Sequence, residues 1–332
     1  MRSLIVGTGA YAPTKKLTNA DLEKIVETND EWIVERTGIR ERRMAAPEQA
    51  TSDLAFEASK KALAMAQVDA ADLDLIVMGT VTPDIPWPAS AAILQGRLGN
   101  KKAFAFDVSA ACAGSLYALS IADRYVASGV AKKALVIGAD TLTRIVNWKD
   151  RNTCVLFGDG AGAMVLQPTD DPKRGIQSLH LHTDGSQWGI LHQPAPGSRR
   201  PLSPEVLEKG EHHLFMNGRE VYKFATRILV SSAEKLLDEC GLTVDDIDLY
   251  IPHQANKRII DHAARNLGIP EEKIFVNVQK YGNTSSASIP LCLAEAVADG
   301  RVREGTRVLM TGMGAGLTWG SAYTIWNHGQ AA

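Results

Sequence analysis

The chain reads as an α/β protein assembled from one unit used twice. Three observations predict this. Apolar runs of strand length alternate with helical stretches, the pattern of helices layered on sheets whose strands are largely covered. The same order of elements returns at an offset of about 170 residues. Three separate pieces match in sequence order, and an offset this long signals domain duplication rather than a solenoid.

The echo begins with a helical stretch, Ser52 to Ala66, which leads through Val68-Asp69-Ala70-Ala71-Asp72-Leu73-Asp74 to the strand Leu75-Ile76-Val77-Met78. Its counterpart is a helix from Tyr222 to Glu239, then Thr243-Val244-Asp245-Asp246-Ile247-Asp248 and the strand Leu249-Tyr250-Ile251. Ala105-Phe106-Asp107-Val108 answers Phe275-Val276-Asn277-Val278, each followed by a small-residue turn and a helix. Ala134-Leu135-Val136-Ile137-Gly138 answers Arg307-Val308-Leu309-Met310-Thr311-Gly312. The halves divide as 1–170 and 171–332. Residues 184–214, rich in Gly, Pro and His and poor in periodicity, form a crossing loop that either walls a site or fills structure. Halves packed face to face bring equivalent turns to a pseudo-twofold axis, a place where ligand sites form. Cys112 and Asn283 lie in equivalent turns, and His253 follows a nearby strand end.

Composition narrows the class. Of 332 residues, 45% are hydrophobic and 22% charged, as in an ordinary soluble protein of two domains or one large one. A formal charge of −2 argues against a general nucleic-acid binder. Cys112, Cys154, Cys240 and Cys292 are far apart, with no CxxC pair and no metal-ligand spacing, which fits reduced thiols in the cytoplasm and no metal. Met1 to Gly7 runs straight into a strand, unlike a signal peptide, and no apolar run is long enough to span a bilayer.

Cys112 is the candidate nucleophile. Ala110-Ala111-Cys112-Ala113-Gly114-Ser115 joins an apolar strand to a helical pattern, and the positive end of a helix favours thiolate. A thiolate attacks a carbonyl carbon and holds the acyl group as a thioester. His253 in HQAN (253–256) and Asn283 in YGNTSSAS (281–288) complete a polar set. Asn is no general base. It either orients the histidine, as in a cysteine-protease set, or stands beside it as a second donor to a carbonyl oxygen, which suits an enolate formed by loss of carbon dioxide. The turn Thr311-Gly312-Met313-Gly314-Ala315-Gly316 lets backbone N–H groups approach a ligand, and with the Cys112 N–H it is assigned to an oxyanion hole.

These residues, in this order, resemble the β-ketoacyl-acyl carrier protein synthase III family of the thiolase superfamily. The likeness covers almost the whole chain: Thr28-Asn29-Asp30-Glu31-Trp32-Ile33, Arg36-Thr37-Gly38-Ile39-Arg40-Glu41-Arg42, Phe106-Asp107 through Ala113-Gly114, Phe157-Gly158-Asp159-Gly160-Ala161-Gly162, Pro252 to Asn256, Gly282-Asn283-Thr284-Ser285 and Thr318-Trp319-Gly320-Ser321. The resemblance implies a thiolase-like, duplicated αβαβα five-layer fold, a homodimer, and condensation of a short acyl-CoA primer with malonyl-acyl carrier protein. Acyl-CoA is then a substrate and no cofactor is needed. Carried over, Cys112 accepts the acyl group, His253 and Asn283 hold the malonyl thioester carbonyl, and Ala315 supplies the second oxyanion amide where the family commonly has glycine. Trp32 and Arg151 resemble the pair that sandwiches adenine, with Arg36 and Thr28 near the nucleotide phosphates and Gly218 and Asn256 on the pantetheine arm. Trp87, Phe157 and Met313 fall at the acyl pocket, Trp87 in a position often contributed across the dimer interface; its bulk favours a short primer. Lys223, Lys257, Arg258 and Arg265 form a basic docking patch for an acidic carrier protein; a solvated helix face explains the same charges.

Neighbouring chemistries fit less well. A degradative thiolase wants a second catalytic cysteine, and Cys292 falls in a helix. A hydroxymethylglutaryl-CoA synthase wants a glutamate where Gly79-Thr80-Val81-Thr82-Pro83 has none, and elongating ketosynthases use two histidines. Same-fold enzymes of specialised metabolism keep the same three residues. A non-catalytic acyl-CoA-binding protein is the reading from a different class.

Overall fold

The computed structural model describes residues 1–327. Strands β1 (Arg2–Tyr11), β2 (Leu75–Gly79), β3 (Phe104–Val108), β4 (Ala134–Thr141) and β5 (Asp159–Thr169) form a mixed sheet in the order β1-β5-β4-β2-β3. Strands β6 (Gly175–Thr183), β7 (Leu249–Pro252), β8 (Arg307–Gly314) and β9 (Thr318–Ile325) form a second, in the order β7-β8-β9-β6. Read from β6, the second sheet repeats the first from β1. Each sheet draws its strands from one half of the chain, the change falling between Thr169 and Gly175.

One expected strand is absent. The segment at 275–278 occupies the β3-equivalent position but makes only an isolated bridge, Ile274 to Tyr250. Phe275 N–H does reach the Tyr250 carbonyl at 2.9 Å. The Asn277 and Val278 N–H groups instead donate to Gln254 Oε1 at 3.0 and 3.2 Å, and a helical turn begins at Val278. A buried side chain has replaced the strand partner.

Among the helices are α1 (Asp30–Thr37), α2 (Thr51–Ala66), α3 (Gly114–Ala127), α4 (Gly218–Cys240), α5 (Lys257–Leu267) and α6 (Ser288–Ala298). Leu116, Leu119 and Val126 of α3 and Ile289, Leu293 and Ala296 of α6 share one core with Val77, Val136, Val308 and Met310. Those strand positions alternate with Ile76, Leu135 and Ile137, which pack on α2, and with Leu309, which packs on α4 and α5. The period of two thus sends each strand's side chains to both faces. Two outer helix pairs (α4 with α5, and α2 with the helix Ser90–Arg97), two sheets and the central pair α3 and α6 form five layers. Helix α3 also sits close on β2, because Gly79 has no side chain: a methyl group there would meet the Gly114 carbonyl carbon at 2.4 Å. Helix α4 starts ahead of the expected Tyr222 because Asn217 caps it, accepting from Glu220 N.

Candidate active site

Both central helices are entered through the same strained turn. Ala111–Ala113 precedes α3 and Ser285–Ala287 precedes α6, and the first residue of each has a left-handed backbone (Ala111 φ 46°, Ser285 φ 52°). The strict counterpart of Cys112 is therefore Ser286, and Asn283 sits just ahead of the equivalent turn. Ser286 joins the halves. Its hydroxyl lies 2.7 Å from the Gly79 carbonyl and 2.8 Å from Asp140 Oδ2. Asp140 Oδ1 in turn accepts from Thr80 Oγ1, Val81 N and Thr82 Oγ1 at 2.9–3.0 Å. Sequence reading missed this buried carboxylate; its one signal is an aspartate ending an apolar strand.

Asn283 is clamped against the FGDGAG segment of the other half. Its N–H donates to the Leu156 carbonyl at 2.8 Å, and its carbonyl accepts from Gly158 N at 3.0 Å. Its side-chain Oδ1 accepts from Ser285 N at 2.8 Å, which commits the amide NH₂ to donating elsewhere. Asp159 in the same segment accepts from Ala45 N, Thr143 N and Thr143 Oγ1, so it fastens loops rather than acting as an acid.

His253 follows β7, its N–H bonded to the Thr311 carbonyl at 2.7 Å. The imidazole is buried, with Nδ1 2.7 Å from Ser288 Oγ. Burial drives its pKa down to about 3, so the ring is neutral at working pH. Burial thus works against a resting thiolate–imidazolium pair. Gln254 braces the loop: beyond the two N–H groups it accepts, its Nε2 donates to the Pro252 carbonyl at 2.8 Å and to Phe275 O at 3.3 Å.

Burial also dominates at Cys112. It pushes the thiol up to about 12, against the pull of the Ser285 hydroxyl, and the Asp140 charge adds to the rise. A helix terminus contributes at most about 2 kcal/mol, or roughly 1.5 pH units. Burial and the helix terminus therefore pull the thiol in opposite directions, a conflict that the sequence alone does not show.

Cys112, His253 and Asn283 line one cavity of about 830 Å³, which reaches the surface beside Trp32 and Arg36. A second, of about 140 Å³, adjoins it at Cys112 and Phe157 and is walled by Val81, Leu142, Ile145, Leu191 and Leu214. Leu191, Lys209, Glu211 and His213 of the crossing loop line the larger cavity, so that loop is a wall. Ala315 lines the smaller one and has no positive φ. Thr318 Oγ1 lies 2.8 Å from the Ala110 carbonyl and 3.0 Å from that of Ala315, tying the glycine turn to the nucleophile turn. A methyl group at Gly314 would stand 2.5 Å from Cys112 N, which is why glycine is required there.

Other expected residues are distributed unevenly. Trp32 carries Arg36 and Arg151 on its ring, at 4.9 and 5.0 Å from the centroid. A flat ring between Trp32 and Arg151 needs two contacts of about 3.5 Å, roughly 7 Å in all, so Arg151 must swing outward to admit one. Gly218 and Asn256 line the large cavity; Asn256 Oδ1 also caps α5 through Ile259 N. Two assignments change. Thr28 lines neither cavity, and its hydroxyl is buried without a partner among the described residues. Met313 lines the larger cavity rather than the smaller. Trp87 is 83% exposed and lines neither cavity of its own chain; its expected place is across a dimer interface. In the basic patch, Lys223 pairs with Glu220 and Lys257 with Asp261. Arg258 lies over the Tyr222 ring, and Arg265 donates to the Asp261 carbonyl. Cys292 is buried against Asn277 Oδ1, outside both cavities, which removes the thiolase alternative.

Comparison with known proteins converges on the same chemistry. The family description 3-oxoacyl-[acyl-carrier-protein] synthase III matches residues 106–185, and its C-terminal counterpart matches 237–326. The chain is similar to the β-ketoacyl-[acyl-carrier-protein] synthase III of Caldanaerobacter subterraneus subsp. tengcongensis, at 51% identity over 97% of each chain. It superposes on the crystal structure of 3-oxoacyl-[acyl-carrier-protein] synthase III from Aquifex aeolicus with a TM-score of 0.90 and 46% identity, covering 98% of this chain and 100% of the other. A priming β-ketosynthase from a polyketide biosynthetic pathway superposes with the same score at 37% identity, covering 98% and 96%. A thiol at a helix entrance, two neutral donors beside it and likeness along nearly the full length lead to one conclusion: the chain belongs to the 3-oxoacyl-[acyl-carrier-protein] synthase III family.

Proposed function

We propose that the chain condenses a short acyl-CoA primer with malonyl-acyl carrier protein, initiating fatty acid synthesis. The observation that carries this is the gathering of Cys112, His253 and Asn283 on one cavity long enough to reach Trp32 at the surface. In the first half-reaction Cys112 sulfur attacks the primer thioester carbonyl, CoA thiolate leaves, and the thiol proton ends on CoA. The Cys112 and Ala315 N–H groups serve the tetrahedral oxyanion. In the second, the malonyl thioester loses carbon dioxide, and the enolate oxygen is held by His253 and the Asn283 amide. The enolate carbon attacks the acyl-Cys112 carbonyl, the carbon–sulfur bond breaks to give 3-oxoacyl-acyl carrier protein, and the Cys112 thiolate takes a proton from water. Neither donor has to remove a proton, which suits a neutral histidine and an amide.

The smaller cavity supports a short primer, with Phe157 in its wall. Homodimerisation is supported by an uncovered apolar face: Phe104 and Tyr125 are exposed at the edge strand β3, and Asp107 of that strand holds the Ser90 end of the loop bearing Ile85 and Trp87. A second copy covering this face brings its own Trp87 toward the partner's acyl pocket. Arg258 and Arg265, which have no carboxylate partner among the described residues, lead the carrier-protein patch. Four free cysteines fit a cytoplasmic enzyme. Likeness to the priming ketosynthase favours a second reading, a specialised pathway with another primer. The test is acetyl-CoA and longer acyl-CoAs with malonyl-acyl carrier protein, read by mass spectrometry. The 3-oxobutanoyl product, abolished in Cys112→Ala, is expected; no condensation with any primer refutes the proposal.

A further inference from the structure

We infer that Ser288 is a positioning residue that fixes the tautomer of His253, keeping Nδ1 unprotonated so that Nε2 carries the hydrogen and donates into the cavity. The inference rests on the reading above, in which His253 acts as a donor.

Ser288 is the first residue of α6 and is buried, as is His253. Two groups lie within reach of Ser288 Oγ among the described residues: His253 Nδ1 at 2.7 Å and Gln254 N at 3.4 Å. The Gln254 N–H can only donate, so it uses one lone pair of the hydroxyl. The hydroxyl's own hydrogen then has one acceptor available, the Nδ1 lone pair. In the opposite tautomer Nδ1–H and Gln254 N–H both point at Ser288 Oγ, and the hydroxyl hydrogen is left buried with no acceptor. An unmade buried hydrogen bond is expensive, so the first arrangement wins. A neutral imidazole carries one hydrogen, which must then sit on Nε2.

Burial keeps the ring neutral, but it does not choose between the nitrogens. That choice decides the chemistry. With hydrogen on Nε2 the ring is a donor to a thioester oxygen, alongside the Asn283 amide, whose orientation Ser285 N fixes in the same way. With hydrogen on Nδ1 it presents a lone pair to the enolate oxygen and opposes decarboxylation. Serine has no sequence signature for this role; it was visible only as the last residue of YGNTSSAS.

The test uses the full-length protein with ¹⁵N-labelled histidine, the His253 signal being identified by its loss in His253→Gln. Hydrogen on Nε2 is expected in the wild type; hydrogen on Nδ1 overturns the inference whatever the enzyme's substrates prove to be. Ser288→Ala is then compared with Ser288→Thr, which keeps a hydroxyl. Carbon dioxide release from malonyl-acyl carrier protein is expected to fall about ten- to a hundredfold in Ser288→Ala, less than for outright loss of a donor, since the freed ring still samples the useful tautomer. Acetylation of Cys112 should stay within about threefold of wild type, and Ser288→Thr should recover most of the loss. Equal decarboxylation by wild type and Ser288→Ala, or a parallel fall of acetylation and decarboxylation, overturns it. If Ser288→Ala does not fold, the wild-type tautomer and the threonine variant decide. Failure of the proposed function reads differently: wild-type protein then releases no carbon dioxide.

Discussion

Gly314→Ala adds one methyl group where the glycine turn meets the nucleophile turn. That methyl stands 2.5 Å from Cys112 N, 3.0 Å from Ala111 Cβ and 3.2 Å from Cys112 Cα. Ordinary contacts are about 3.5–4.0 Å, so the two turns must separate by roughly 1 Å. The nucleophile turn has little room to give, because Ala111 is already left-handed and Gly114 is packed on Gly79. Misplacing a reacting group by about 1 Å costs on the order of a hundredfold in rate, and overpacking a full core costs about 1–3 kcal/mol in stability. Intact-protein mass spectrometry after mixing with acetyl-CoA gives the first quantity, and denaturant unfolding the second. The expected variant acetylates about a hundredfold more slowly while remaining folded. Wild-type acetylation in Gly314→Ala refutes the claim that this contact sets the position of the sulfur.

Three further outcomes follow from the site's electrostatics and bracing. Because burial holds the Cys112 thiol far above neutrality, its alkylation by iodoacetamide should keep accelerating past pH 9; a plateau below pH 8 contradicts that. His253 has a folded pKa of about 3, below the unfolded value of about 6.5, so the unfolded chain binds the extra proton between these values. Stability is therefore lost as pH falls from 6.5 toward 3, by at most about 1.4 kcal/mol per unit, and His253→Gln should flatten that slope in unfolding measured at pH 4.5 to 7; equal slopes refute the assignment. Gln254→Leu strands the N–H groups of Asn277 and Val278 and should cost about 2–4 kcal/mol by denaturant unfolding, whereas a loss below about 0.5 kcal/mol shows the brace to be dispensable.

Much of this arrangement was legible in the chain. Duplication was readable because apolar strands keep their pattern across both halves, and the reactive set because a cysteine flanked by alanine and glycine at a helix entrance has few structural reasons to be there. The exchange of the strand at 275–278 for a side-chain brace was not, since Phe-Val-Asn-Val reads as strand until Gln254 arrives from another element. Nor was the Asp140–Ser286 latch, whose partners lie far apart in sequence. Helix-end logic located Cys112, but not the opposing effect of burial, which raises the thiol's pKa against the terminal dipole. Trp87 was placed by analogy at a pocket across a dimer interface; within its own chain it is exposed and lines neither cavity, which moves the question of primer length to the uncovered face.

The division of labour between the two half-reactions is the core of the account, and Asn283→Ala tests it most directly. Acetylation of Cys112 by acetyl-CoA and carbon dioxide release from malonyl-acyl carrier protein are measured on the same preparation. Acetylation within about twofold of wild type is predicted, with carbon dioxide release reduced on the order of 10²–10³-fold. Both rates falling together, or decarboxylation surviving, would contradict it.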